Sequence, residues 1–186
     1  MKHLFLTGDI QVGKSTLLQK WLSRINCRTA GFYTRKVPDG EHIYVRIFPA
    51  DQSFTPDTVC NIDKDSRDNI LFDCTAIDEF DFTERFDRLG TALLRSAADA
   101  DLIVMDEIGL RENQAEVFCK TVLDTLNGSV PVIGVLRKLM PQEHNEQDQG
   151  LIDTILGRSD VSVIEVTEDN RDALADTLPG ILQPFA

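Results

Sequence analysis

Gly8-Asp9-Ile10-Gln11-Val12-Gly13-Lys14-Ser15-Thr16 is the stretch from which the rest of the chain is read. It follows the pattern G-x-x-x-x-G-K-[ST], in which a glycine-rich turn points backbone N–H groups inward at the start of a helix and makes a nest for phosphate oxygens. In front of it, His3 to Thr7 is an apolar run of strand type. Behind it, from Lys14 onward, Leu17, Leu18, Trp21, Leu22 and Ile25 recur on one face at helical spacing. The chemistry assigns each position. Gly8 and Gly13 permit the turn, Asp9, Ile10, Gln11 and Val12 lie between them as part of the cradle, and the Lys14 ammonium reaches the β- and γ-phosphates. The Ser15 hydroxyl ligates Mg2+, and Thr16 is placed to touch the α-phosphate.

A phosphate loop of this kind works with an acidic residue at the end of a neighbouring strand. Leu102-Ile103-Val104-Met105 is an unbroken apolar run, as in a strand buried on both faces, and Asp106-Glu107 follows it. Asp106 is the expected Walker B residue, holding Mg2+ directly or through water. Glu107, one residue further, is placed to orient and deprotonate an attacking water, which is hydrolase chemistry. The competing reading of Glu107 is a solvated acid at a strand end, common on a chain this acidic.

Outward from these two motifs, strand-like and helix-period segments alternate. Thr29 to Val37 and His42 to Phe48 read as a hairpin around a turn at Pro38-Asp39-Gly40, and Ile70 to Asp73 as a short strand. Phe82, Phe86, Leu89, Leu93, Leu94 and Ala97 fit one helix. Val117, Leu123 and Leu126 fit another, closed by Asn127-Gly128. Val130 to Leu136 and Val161 to Val166 read as strands, with a short helix at Leu151 to Leu156 and a terminal one from Arg171 to Leu182. Residues 49–69 and 139–150 are polar and read as loops. The expected fold class is α/β: a three-layer P-loop NTPase fold with a largely parallel central sheet and a β-hairpin after the first helix, in one domain over residues 1–186.

Composition narrows the partners. With 31 acidic against 19 basic residues the formal net charge is −12, which argues against a nucleic-acid polymer or an anionic membrane as partner. Cys27, Cys60, Cys74 and Cys119 show no Cys-x-x-Cys pair, so buried or free thiols are expected. His3, His42 and His144 are scattered and suggest neither a metal site nor a triad. The apolar start of the chain is too short for a signal peptide, and no later run is long enough to span a bilayer, so a cytoplasmic protein is expected.

Together these residues resemble the cancer-related nucleoside-triphosphatases, a family of small P-loop proteins. The resemblance is carried by Leu4 to Leu17, by Gly31-Phe32-Tyr33-Thr34, by Leu102 to Gly109 with its Asp-Glu-Ile-Gly, and by Val166-Thr167-Glu168-Asp169-Asn170-Arg171. It implies hydrolysis of ATP, GTP and other nucleoside triphosphates, with phosphate binding by Gly8 to Thr16 and metal and water activation by Asp106 and Glu107. It also makes Asn170 and Arg171 candidates for contact with the nucleobase; an N-cap and a surface arginine are the alternatives. The chain departs from the family at Asp9, Ile10 and Gln11 in the loop, at Arg35 and Lys36 where acidic residues are usual, and at Leu110 and Arg111 before Glu112.

Mg2+-dependent hydrolysis of nucleoside triphosphates is therefore the expected activity, with Lys14 and Glu107 as catalytic residues. Transfer of the γ-phosphoryl group to a small acceptor, or a slow nucleotide-gated switch, is the alternative. For the cation that meets charge developing on the γ-phosphate, Arg137, Lys138, Arg111 and Arg158 are candidates, each also readable as solvated surface charge.

Overall fold

A computed structural model describes residues 2–51, 66–76, 81–97, 99–139 and 150–186. Cys60 and His144, and the larger parts of the expected 49–69 and 139–150 loops, lie outside the described residues.

The strands are β1 (His3–Thr7), β2 (Thr29–Asp39), β3 (His42–Pro49), β4 (Ile70–Asp73), β5 (Leu102–Ile108), β6 (Val132–Leu136) and β7 (Val161–Glu165). They form one sheet in the order β4-β3-β2-β5-β6-β1-β7. From β2 to β7 the pairings are parallel, and only the β2–β3 and β3–β4 pairs run antiparallel. The sheet is largely parallel, as expected, with the hairpin and β4 forming its antiparallel side.

The apolar runs of the central strands are explained by burial on both faces. In β5, Ile103 and Met105 turn to one side with Phe5, Val132 and Leu136, while Leu102 and Val104 turn to the other with Leu4, Leu6, Ile133 and Val135. The second face is covered by α1 (Lys14–Leu22), which buries Leu17, Leu18 and Trp21. A short C-terminal helix, labelled α6 (Arg171–Asp176), joins it through Leu174, whose carbonyl accepts the Trp21 indole N–H at 2.9 Å. The first face is covered by α2 (Phe82–Arg85), a π-helical turn (Phe86–Gly90), α3 (Thr91–Arg95), α4 (Glu116–Asn127) and α5 (Leu151–Leu156). Helices on both sides of the sheet complete the three layers.

Several boundaries differ from the sequence reading, each for a local reason. The expected helix over Phe82 to Ala97 is interrupted by the π-helical turn, within which Asp87 accepts the Phe118 N–H at 2.8 Å. That bond satisfies a free amide at the start of α4, where Ala115 has no capping side chain. The terminal helix stops at Asp176 instead of Leu182, because Pro179 disfavours helical geometry at the residue before it. The hairpin turns through Gly40 and Glu41, with Pro38 still in the strand opposite Ile43. β6 starts at Val132, two residues later than read, and β5 runs past Met105 to Ile108, so Asp106 and Glu107 sit on the strand itself.

One strand stands between the phosphate loop and Asp106. β6 pairs with β1 on one side and β5 on the other, so β5 is not the immediate neighbour of β1. β6 is narrow at its middle: a Cβ on Gly134 would lie 2.4 Å from the Met105 carbonyl oxygen and 2.7 Å from the Phe5 ring. At the opposite end of the sheet, buried His3 ties β1 in place. Its Nδ1 accepts the Val132 N–H at 3.0 Å and its Nε2 lies 3.0 Å from the Leu126 carbonyl oxygen. With Nδ1 accepting, Nε2 carries the proton, and burial lowers the His3 pKa in favour of this neutral form.

Candidate active site

The loop leaves the C-terminal end of β1, where Thr7 pairs with Glu165. Gly8 has φ 137°, and a Cβ there would lie 2.3 Å from the Val166 carbonyl oxygen, so glycine is required both by conformation and by space. Gly13, at φ 103°, caps α1 and directs the turn into the helix. Val12 is buried in the α1-side core and anchors the loop, whereas Asp9, Ile10 and Gln11 are exposed. The Asp9 carboxylate is met by Lys138, whose Nζ lies 3.2 Å from it and 2.7 Å from Glu165. The acidic departure at position 9 is thus matched by a lysine from the strand end next door.

Lys14 is buried, and its ammonium donates to the carbonyl oxygens of Gly8 and Asp9, both at 2.9 Å. Its charge therefore lies within the loop. Ser15 donates from its hydroxyl to Asp106 Oδ1 at 2.8 Å, which brings the two expected metal ligands together across β6. A hydroxyl and a carboxylate are hard oxygen donors of the kind that suits Mg2+, an ion that keeps several waters and is completed by substrate phosphates. Among the described residues no group of three His, Cys, Asp or Glu converges.

Glu107 is half-buried beside Asp106, with its backbone N–H held by the Thr34 hydroxyl at 3.1 Å. Burial raises its carboxyl pKa, nearby Asp106 raises it further, and the charges of Lys14, Arg137 and Lys36 pull it down. A carboxylate poised in this way can accept a proton from water.

The remaining candidates separate. Arg137 and Lys138 follow β6, the immediate neighbour of β1; the Arg137 charge acts on Glu107, and Lys138 pairs with Asp9 of the loop. The Arg111 guanidinium stacks on Phe72 and Phe82, 4.4 and 5.5 Å from the ring centroids. Arg158 sits at the far end of the sheet, paired with Asp160 just before β7 and bonded to Asn127. Arg171 lines a pocket of about 380 Å³ beside the loop, together with Gln11, Thr16, Lys20 and Asp172. Asn170 is not among its lining residues. Its side chain accepts the Thr167 N–H and donates to the Glu165 carbonyl, bracing the turn that leads into α6.

Three residues near the carboxylates escape a reading of motifs alone. Thr34 holds Glu107, and Arg35 donates to Asp106 Oδ2 at 2.8 Å. Glu112 is buried behind Glu107 in a 3-10 turn (Arg111–Gln114). Burial, reinforced by the charge of Glu107, pushes the Glu112 carboxyl up to about 7, against the pull of the Gly109 and Glu112 amides and of Arg111. Only the alignment of β2 with β5, which sets Tyr33 opposite Asp106, would have placed Thr34 and Arg35.

Glu112 gives a prediction on stability. Its folded pKa of about 7 lies above the ordinary value of 4.5, so the folded chain holds the proton more tightly than the unfolded chain. The resulting stabilisation is full below pH about 4.5 and is lost as pH rises through about 7, amounting to about 3 kcal/mol. Urea unfolding of Glu112→Gln should lack this part of the decline between pH 5 and 8. An identical decline in the variant and the parent would rule it out.

Comparison with known proteins follows the same lines. The model of a family described as NTPase matches residues 3–178. The chain is 26% identical over 191 residues to nucleoside-triphosphatase THEP1 of Natranaerobius thermophilus, covering 95% of this chain and 93% of that one. It is 27% identical over 197 residues to the human cancer-related nucleoside-triphosphatase, covering 97% and 95%. In three dimensions it is similar to a solution structure of a human cancer-related nucleoside triphosphatase, with a TM-score of 0.60 at 25% identity over 95% of this chain and 94% of that one. It also shares its fold with the crystal structure of THEP1 from Aquifex aeolicus, with a TM-score of 0.60 at 22% identity over 97% and 99%.

Proposed function

This chain belongs to the NTPase family, and from that premise we propose that it hydrolyses nucleoside 5'-triphosphates to the diphosphate and phosphate. The observation that carries the reading is the convergence of Lys14, Ser15, Asp106 and Glu107 at the C-terminal ends of β1 and β5. That is where α/β sheets bind their ligands.

In the proposed mechanism the loop amides and Lys14 bind the β- and γ-phosphates, and Lys14 neutralises charge as it develops on the γ-phosphoryl oxygens. Ser15 and Asp106 would hold Mg2+, which when bound would supply positive charge to offset that on the phosphates. Glu107 orients a water and takes its proton as the water oxygen bonds to phosphorus and the bridging oxygen leaves with the diphosphate. Arg137 acts through its charge on Glu107, which makes it the candidate for charge developing on the γ-phosphoryl group. The pocket lined by Gln11, Thr16 and Arg171 receives the ribose and base. ATP and GTP both fall within the proposed substrates, with residues 1–186 acting as one nucleotide-binding unit. The relatives' names favour hydrolysis over the kinase and switch alternatives. Among the described residues no helix is long and apolar enough to cross a membrane.

Phosphate release from a panel of ATP, GTP, CTP and UTP, with Mg2+ and with chelator, tests the reading. Release from several of them that needs the divalent ion and no acceptor is expected. Release only when a small phosphoryl acceptor is added would replace the hydrolase with a kinase.

A further inference from the structure

Asp106 is fully buried and both of its carboxylate oxygens are engaged, Oδ1 by the Ser15 hydroxyl and Oδ2 by the Arg35 guanidinium, each at 2.8 Å. Arg35 is built into this position. β2 lies parallel to β5 with Tyr33 opposite Asp106, the Arg35 side chain is only 18% exposed, and its guanidinium also donates to the Thr34 carbonyl at 2.6 Å. The same group lies 5.1 Å from the centre of the Tyr33 ring, which favours a cation there.

A carboxylate taken wholly out of water needs a cation beside it. Arg35 is that cation. The proposed function gives the same carboxylate, with Ser15, to a divalent ion, and the inference rests on that reading. A guanidinium bonded to Oδ2 both occupies a lone pair that the ion or its waters would use and repels the ion at close range. The geometry points to a cation exchange: Arg35 holds Asp106 until a divalent ion displaces it, so Arg35 sets the metal affinity of the site.

The test is direct binding of Mn2+ to the full chain with one equivalent of ADP, read from the loss of the free-ion electron paramagnetic resonance signal beyond that caused by the same ADP alone. Arg35→Met should tighten Mn2+ binding about tenfold, the size of one charge-assisted hydrogen bond removed from the competing state. Arg35→Lys should stay closer to the parent, because it keeps the charge. Arg35→Gln carries the same expectation as the methionine variant if circular dichroism finds that variant unfolded. Asp106→Asn should abolish the high-affinity site. Unchanged or weaker Mn2+ binding in Arg35→Met and Arg35→Gln, with Asp106→Asn still abolishing it, overturns the exchange and leaves the metal site standing. Mn2+ affinity that ignores Asp106→Asn overturns both.

Discussion

Replacing Lys14 by alanine should abolish measurable turnover and weaken triphosphate binding by about ten- to a hundredfold. The reason is the position of its charge. The ammonium is buried and bonded to the Gly8 and Asp9 carbonyls, inside the loop that receives the phosphates, and Lys138 is spent on Asp9 and Glu165. Loss of one charge-assisted contact to a phosphate oxygen costs roughly 1.5–3 kcal/mol, and a preorganised donor to the reacting group adds about as much again in the transition state. Titration calorimetry with a non-hydrolysable triphosphate separates the first part, and single-turnover phosphate release the second. The fold should survive, because Val12, Leu17 and Leu18 carry the burial of this segment. Affinity within a few-fold of the parent would remove Lys14 from the binding role.

Glu107→Gln should leave binding nearly unchanged and do almost as much as the lysine variant to chemistry. The amide keeps the shape of the side chain, and the backbone N–H that Thr34 accepts is untouched, so triphosphate affinity should stay within a few-fold. Hydrolysis should fall by about 10² to 10⁴, the usual contribution of a positioned general base. A pH profile adds a second reading. Burial raises the pKa of Glu107 above its ordinary value of 4.5, and the base works as the carboxylate. The parent rate should therefore climb with pH through that raised pKa and then level, while the glutamine variant should lack that climb. A variant as fast as the parent would sink the assignment of Glu107.

The strongest features were legible because they are local. A glycine turn between an apolar strand and an amphipathic helix can be recognised from residues that touch one another along the chain, and so can two acids at the end of a buried run. Asp9 was readable only as an oddity, because Lys138, which balances it, comes from 129 positions away. Arg35 was visible as a departure, but its meaning depends on β2 lying beside β5, a pairing that no local pattern encodes. The four basic candidates could not be ranked from sequence for the same reason. Arg111 stacks on rings from β4 and α2, and Arg158 belongs to the opposite end of the sheet. The short α6 was within reach, since Pro179 follows it closely, but helical periodicity ran on and outweighed the proline. Asn170 and Arg171, adjacent in sequence, went to different tasks because one side chain folded back on the turn.

Gly134 turns β6 into a ruler. Two strand spacings, each about 4.8 Å, separate the strand that carries the phosphate loop from the strand that carries Asp106, and at Gly134 the middle strand carries no side chain. The span from Ser15 to Asp106 is thus tied to the main-chain hydrogen bonds of two parallel pairings. A methyl group at position 134 would wedge the gauge open against Met105 and Phe5, and the reach between hydroxyl and carboxylate would be the first thing to fail.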